Sequence, residues 1–337
     1  MNRIPHIPLR QCAVAVLPVL AFLLLTACGA ETEQAAPEYA DRIPDYDETA
    51  GGTVIVFGDP QRTGLPERLL GREQNDSARA AVLRGIAAAR PDLLVILGDL
   101  VYQADDDDAW AHFDGIAAGV RRAGVPVFPI LGNHEYFGND EDGRRRIDAR
   151  FPPLRGQDWY ELRYGPVAFL LLNTNFDDMT DSAVQRQQRW YVQRLAALEA
   201  DVAVRHIVVC GHHPPFTNSM IVSASREVED RVVLPFLDMR KTSLLFSGHC
   251  HAYEHFRLGD KHFVVTGGGG GPRQELDRCW HRRHDDLYPG ADVRPFHYCA
   301  LQIRGDTLRM TAHMLSADLS GWHIGDSITI VSGSMEN

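Results

Sequence analysis

The chain has 337 residues, with 34 Lys plus Arg against 45 Asp plus Glu, a formal net charge of −11, and 45% hydrophobic content. That length suits one large domain or two modest ones with a substantial core, and a charged fraction of 23% argues against wholesale disorder. The acidic excess excludes a general nucleic-acid binder and a polybasic membrane-surface protein, both of which need a basic face. An anionic ligand would therefore have to find its positive charge elsewhere, and a metal is the obvious candidate.

At the N-terminus, Arg3 and Arg10 form a basic leader and Ala13–Leu25 is an apolar run too short to span a bilayer comfortably. The run ends in Leu25-Thr26-Ala27-Cys28, which resembles the lipobox of bacterial lipoproteins. The resemblance implies that residues 1–27 are a signal peptide and that a lipid on Cys28 ties an exported protein to the bacterial cell envelope. Gly29 is not the Asp that resembles an inner-membrane retention signal, which points to the outer membrane or cell surface ahead of a periplasmic position. The alternative is an ordinary secretory signal with an incidental cysteine. Residues 28–50, rich in Ala, Glu, Asp and Pro without apolar periodicity, read as a flexible tether, so one domain is expected over residues 51–335. Export permits disulfides. Cys279 with Cys299 is a plausible pair closing a loop, although Cys210, Cys250, Cys279 and Cys299 allow three connectivities.

From Gly51 onward, short apolar strands alternate with amphipathic helical stretches. Strands are predicted at 53–57, 93–97, 125–130, 167–172, 205–210, 244–247 and 262–266, and helices at 77–90, 107–122, 142–150, 183–199 and 227–239. This alternation implies an α/β architecture with covered sheets. The end differs: residues 298–304, 307–314 and 327–331 read as antiparallel strands with no helices between them. Residues 272–295 lack periodicity and read as a long surface or active-site loop.

Five strands end in Gly followed by a metal-competent residue: Gly58-Asp59, Gly98-Asp99, Gly132-Asn133, Gly211-His212 and Gly248-His249. Ligands gather outside the carboxyl ends of strands in open α/β sheets, and Gly lets the chain turn sharply there. Carboxylate, imidazole and amide oxygen together suit Fe, Zn or Mn, with no thiolate required. An Asp shared between two ions would bridge them at ~3.5–4 Å.

The segments Asp59-x-Gln61, Gly98-Asp99-Leu100-Val101-Tyr102, Gly132-Asn133-His134-Glu135, Val209-x-x-His212 and Gly248-His249-Cys250-His251 resemble, in order, the five blocks of the calcineurin-like metallophosphoesterases. The Gly267–Gly271 run resembles that family's glycine loop. The resemblance implies a four-layer αββα sandwich of two mixed sheets flanked by helices. Most members have Asp-x-His in the first block, where this chain has Gln61; the second block instead resembles the Gly-Asp-x-x-Tyr of purple acid phosphatases, which lack that His. Those phosphatases usually have Gly at the position of Gln61, so the match to them is incomplete. It implies that Asp59, Tyr102 and His251 join Asp99 on Fe(III), and that Asn133, His212 and His249 join Asp99 on a divalent Zn, Fe or Mn. It further implies that His134 binds phosphate oxygen and protonates or stabilises the leaving group, with Glu135 supporting its charged form. His213 and His255 would be either phosphate contacts or hydrogen-bonded supports.

The reaction implied is hydrolysis of a small phosphomonoester by in-line attack of a metal-activated hydroxide, as in an acid phosphatase. A phosphodiesterase or nucleotidase on the same centre is the alternative, and a non-catalytic surface-binding lipoprotein with a vestigial site is a third. The sequence calls for no nucleic-acid partner and gives no sign of a protein partner. Asp105–Asp108 reads as acidic decoration of a helix start, Cys250 as a core residue between two ligand histidines, and Trp280, His281 and His284 as a substrate wall or plain loop.

Overall fold

The computed structural model describes residues 36–277 and 284–333. The signal segment 1–27, Cys28, Cys279, Trp280, His281 and the end of the expected domain at 335 lie outside the described residues.

The strands are β1 (Gly52–Phe57), β2 (Leu93–Ile96), β3 (Val127–Pro129), β4 (Tyr160–Tyr164), β5 (Val167–Leu171), β6 (His206–Cys210), β7 (Thr242–Ser247), β8 (Tyr253–Leu258), β9 (Lys261–Thr266), β10 (His297–Arg304), β11 (Thr307–Leu315) and β12 (Trp322–Val331). They form two six-stranded sheets, ordered β12-β11-β10-β1-β2-β3 and β4-β5-β6-β7-β9-β8. β1, β2 and β3 run parallel and β10 pairs antiparallel with β1, continuing into a β10-β11-β12 meander. In the second sheet β5, β6, β7 and β9 are parallel, while β4 and β8 run antiparallel at the edges. Both sheets are thus mixed, and helices flank them.

β5 shows why its sequence is an uninterrupted apolar run. Val167, Phe169 and Leu171 join the core shared with β1 and β10, whereas Ala168 and Leu170 join a second core with Tyr191, Leu195 and Leu198 of the long helix Asp181–Ala200. Both faces are covered, so alternation between polar and apolar residues disappears.

Two predicted helices break. The stretch 107–122 divides at Ala117 into Asp107–Ile116 and Ala118–Arg122. The stretch 227–239 widens into a π turn over Glu229–Val233 just before Pro235. Pro235 has no N–H to donate, and the Arg231 carbonyl, four residues earlier, instead accepts from Gln188 Nε2 at 2.9 Å. β4 and β8, whose polar residues mask their period, escaped the sequence reading.

The expected tether is corrected from Ala36 onward. Tyr39 is 2% exposed, its ring stacks on Phe151 at 4.8 Å, and its hydroxyl donates to Asp114 Oδ1 at 3.0 Å. Val127 N donates to Ala40 O at 2.8 Å, so this segment extends the edge at β3. The expected Cys279–Cys299 bridge is likewise corrected: Cys299 is a free, buried thiol 3.5 Å from Thr266 Oγ1, and Cys210 and Cys250 are also free and buried.

Candidate functional site

The site is assembled from the turns that follow β1, β2, β3, β6 and β7. Asp59, Asp99 and His249 all have left-handed backbones, with φ of +62°, +53° and +63°. Such a conformation costs a non-glycine residue about 1–2 kcal/mol and persists only where neighbours over-determine it. Here they do. Asp59 N donates to Gly98 O at 3.2 Å, and His249 N donates to Asp59 Oδ1 at 2.9 Å. Gly98, at φ +87°, permits a close approach: a Cβ there would lie 2.4 Å from Gly132 N.

Asp99 sits at the centre, 1% exposed. Its Oδ1 lies 3.4 Å from His212 Nε2, while its Oδ2 lies 3.2 Å from Gln61 Nε2. On the first side, His212 Nε2 is 3.1 Å and His249 Nδ1 2.9 Å from Asn133 Oδ1, and His212, His213 and His249 offer ring nitrogens within 4.8 Å of one another. On the second side, Asp59, Asp99 and His251 do the same within 4.8 Å. His251 Nε2 is 3.5 Å from Asp59 Oδ1 and 3.1 Å from the Gln61 carboxamide.

The imidazoles are held for this purpose. His212 Nδ1 bonds the Leu97 carbonyl at 2.7 Å, His251 Nδ1 the Pro272 carbonyl at 2.9 Å, and His134 Nδ1 the Tyr102 carbonyl at 2.6 Å. Each carbonyl accepts a hydrogen bond from Nδ1–H, which fixes the ring and turns Nε2 toward the centre, the orientation that metal ligation by His212 and His251 would need. Thr174 Oγ1 accepts from both His212 N and His213 N, at 3.0 and 2.9 Å. Burial opposes ionisation of Asp99, yet the His212, His134 and His249 rings hold its carboxyl far below the usual range. Burial likewise opposes charge on His212, but Asp99 outweighs it and raises the imidazole to about 9. His213 is pushed down to about 3, by burial and then by His212.

Asp59, Asp99, Asn133, His212, His249 and His251 therefore converge, and His134 stands beside them with Nε2 3.9 Å from Asp99 Oδ2. His213, expected to touch phosphate, joins His212 and His249 as a third imidazole. Two expected residues do not take their places. The Tyr102 ring packs on Gly64, where an added Cβ would meet its Cζ at 2.1 Å, and against His134 and Phe137, and these contacts, rather than Asp59 and His251, are its neighbours. Burial and then Glu67 raise its phenol above the ordinary value. Glu135 is buried, and its carboxylate accepts from the backbone N–H of Asp99, Leu100 and Gly132 at 2.7, 2.8 and 2.7 Å. It ties two ligand turns together and does not support His134.

The sequence reading left Gln61 without a role, yet it is 1% exposed, lies between Asp99 and His251, and its Oε1 has no partner. The spacing Asp59-x-Gln61 was the available signal. It also missed Thr174, whose only trace is the polar triplet Asn173-Thr174-Asn175 after the apolar β5. Asp106 accepts from Asp108 N and Ala109 N and simply caps a helix, Cys250 is buried in the second core, and His255 pairs with Asp326 at 2.9 Å, away from this centre.

Two facing sets of carboxylate, amide and imidazole atoms joined by one shared Asp, set on the strand ends of an αββα sandwich, define a two-metal-centre protein. The unpartnered Gln61 Oε1 and the His212 and His251 rings, each anchored through Nδ1 with Nε2 toward the centre, fit such ions. The family model for calcineurin-like phosphoesterases matches residues 52–253. The chain is 26% identical over 290 residues to purple acid phosphatase 4 of Arabidopsis thaliana, covering 76% of this chain and 78% of that protein. Among solved structures, a purple acid phosphatase from yellow lupin (Lupinus luteus) seeds superposes with TM-score 0.60 at 20% identity, covering 83% of this chain and 53% of the lupin chain. This chain thus spans about half of that enzyme. The inner-membrane-complex anchor of Plasmodium gives 0.63 at 13% identity, covering 84% and 90% of the two chains. A dimetal phosphatase from Danio rerio gives 0.56 at 14%, covering 84% and 99%. The chain belongs to the calcineurin-like phosphoesterases.

Proposed function

We propose that the protein is a dimetal hydrolase of phosphomonoesters, of acid-phosphatase type. One observation carries this: the two oxygens of Asp99 are divided between two ligand sets, at 3.4 Å from His212 Nε2 and 3.2 Å from Gln61 Nε2. Asp59, Gln61, His251 and Asp99 would hold one ion; Asn133, His212, His249 and Asp99 would hold the other, with His213 alongside. Gln61 presents its carboxamide oxygen once the amide is turned, since O and N of an amide exchange by a flip. With the Tyr102 phenol outside the set, the ligands suit two divalent ions of Zn, Fe or Mn rather than Fe(III). When bound, such a pair activates water and neutralises charge on phosphoryl oxygens.

His134 does the proton work. Its Nδ1–H is held by the Tyr102 carbonyl, and in the doubly protonated, charged form its Nε2–H would deliver a proton to the departing alkoxide, leaving the neutral ring. His134→Ala is expected to keep both metals and lose about 10²–10⁴-fold in turnover. The leader ending in Cys28 supports an exported, lipid-tethered form of this enzyme.

The test is reconstitution of the purified full chain with Mn, Zn or Fe(II), followed by metal analysis and assay on a chromogenic monoester and its bis-ester. Two bound metals and faster monoester turnover support the reading. Faster diester turnover replaces it with a phosphodiesterase, and two metals with neither activity leave a binding protein, for which the similarity to the Plasmodium anchor would then be the better guide.

A further inference from the structure

A cavity of about 720 Å³ opens on the His134 side of the centre. Its volume lies within the ~300–1,000 Å³ of small-molecule sites. None of the residues that converge on Asp99 lines it, so it is not the metal site itself. Two of its walls, however, are shared with His134: the Tyr102 ring lies 4.9 Å and the Phe137 ring 4.4 Å from the His134 ring, centroid to centroid. Tyr102 and Phe137 stand edge to face at 6.2 Å. Phe137 is 41% exposed, although a phenyl ring that only filled core would be covered. Beside these rings the lining also offers hydrogen-bonding and charged groups from Gln74, Gln103, Arg62 and Asp106.

We propose that this cavity is the leaving-group subsite, and that it takes esters whose departing alcohol carries a flat aromatic ring, with Tyr102 and Phe137 as the residues that select for it. The inference rests on the phosphoesterase reading above. Phosphorus held at Asp99 places the bridging oxygen at His134 Nε2, and the rest of the alcohol must then leave past the rings that pack on His134. An aromatic group meets two aromatic side chains there and hydrogen-bonding groups beside them. An aliphatic alcohol meets the same walls with less to gain, since aromatic pairs contribute beyond the area they bury.

The metal-loaded full chain is assayed on p-nitrophenyl phosphate, adenosine 5′-monophosphate and glycerol 2-phosphate, for the wild type, Phe137→Ala and the more conservative Phe137→Leu. Leu69→Ala, on the exposed helix near but outside the lining, is the control. The expected result is a fall of about tenfold in kcat/KM for one or both aromatic esters, carried mainly by KM, with a smaller fall for glycerol 2-phosphate. About tenfold corresponds to about 1.4 kcal/mol. A fall on the nucleotide identifies a nucleobase as the preferred ring, and a fall on the aryl ester alone identifies a simple aryl group. Because aryl phosphates react faster intrinsically, the ratio of variant to wild type is read, never the rates alone. Equal falls on all three esters in both variants, with metal content retained, overturn the subsite while leaving the phosphoesterase standing. A two-metal wild type inactive on every ester overturns both.

Discussion

Glu135 was expected to support a charged His134, and the structure instead makes it the brace of two ligand turns. Glu135→Ala separates these roles. The substitution leaves the N–H groups of Asp99, Leu100 and Gly132 without their acceptor. A buried donor left unpaired costs about 1–3 kcal/mol; with water entering the emptied space, the three together come to about 3–5 kcal/mol. For a domain of this size, about 2–4 °C of Tm is lost per kcal/mol, so a fall of roughly 10 °C is expected. Thermal unfolding of the metal-free protein is the assay, because bound metal would add its own linkage to Tm. Glu135→Gln should fall between: one oxygen can still accept from Asp99 and Gly132, while its amide meets the Leu100 donor. Below the new Tm and at saturating metal, turnover should drop by less than tenfold. An unchanged Tm with turnover reduced by about 10²–10⁴-fold, the signature of a lost acid–base group, would refute the bracing role.

Other perturbations address the rest of the site and fold. Asp99→Asn tolerates the left-handed backbone but removes the shared charge, so calorimetric titration should show both metals weakened together; loss of only one would contradict a bridging Asp99. Gln61→Ala should weaken one metal, and Tyr102→Phe should keep both with an unchanged visible spectrum, whereas disappearance of a violet band in Tyr102→Phe would restore the phenolate–iron expectation. His297 is fully buried, with Nε2 unpartnered, and burial lowers it to about 4. The unfolded chain takes up this proton below about pH 6.5 and the folded one does not, so the stability it contributes is present above that pH. It is lost as pH falls toward 4, by at most about 3 kcal/mol. His297→Gln should flatten that acid arm in denaturation measured from pH 7 to 4, and an unchanged slope would rule His297 out as its source. Tyr39→Ala should cost about 3–5 kcal/mol in denaturant unfolding, where a true tether residue would cost almost nothing.

The strand ends were legible because their chemistry is local. A Gly that permits a sharp turn and the ligand after it are adjacent in the chain, so Gly58-Asp59, Gly98-Asp99, Gly132-Asn133, Gly211-His212 and Gly248-His249 announce themselves in order. The buried parallel strands were equally visible, since cover on both faces writes an apolar run into β1, β5 and β6. The acidic balance directed attention to a metal, and Asp59, Asp99 and His251 lie close enough to offer one their ligand atoms, with His212 beside Asp99.

What the sequence could not fix is where a side chain points after it leaves its block. Tyr102 and Glu135 each stand within three residues of a ligand, yet one packs on Gly64, and three backbone donors hold the other. Gln61 lies two residues beyond Asp59, and only convergence with Asp99 and His251, 38 and 190 positions away, places it in the centre. The same holds for Tyr39, whose segment has the composition of a linker but finds a stacking partner in Phe151. Local chain geometry thus determined which turns carry ligands. Long-range packing, which no short window of sequence contains, decided which neighbouring side chains reach the metals, which brace them, and which are left to line the cavity beside His134.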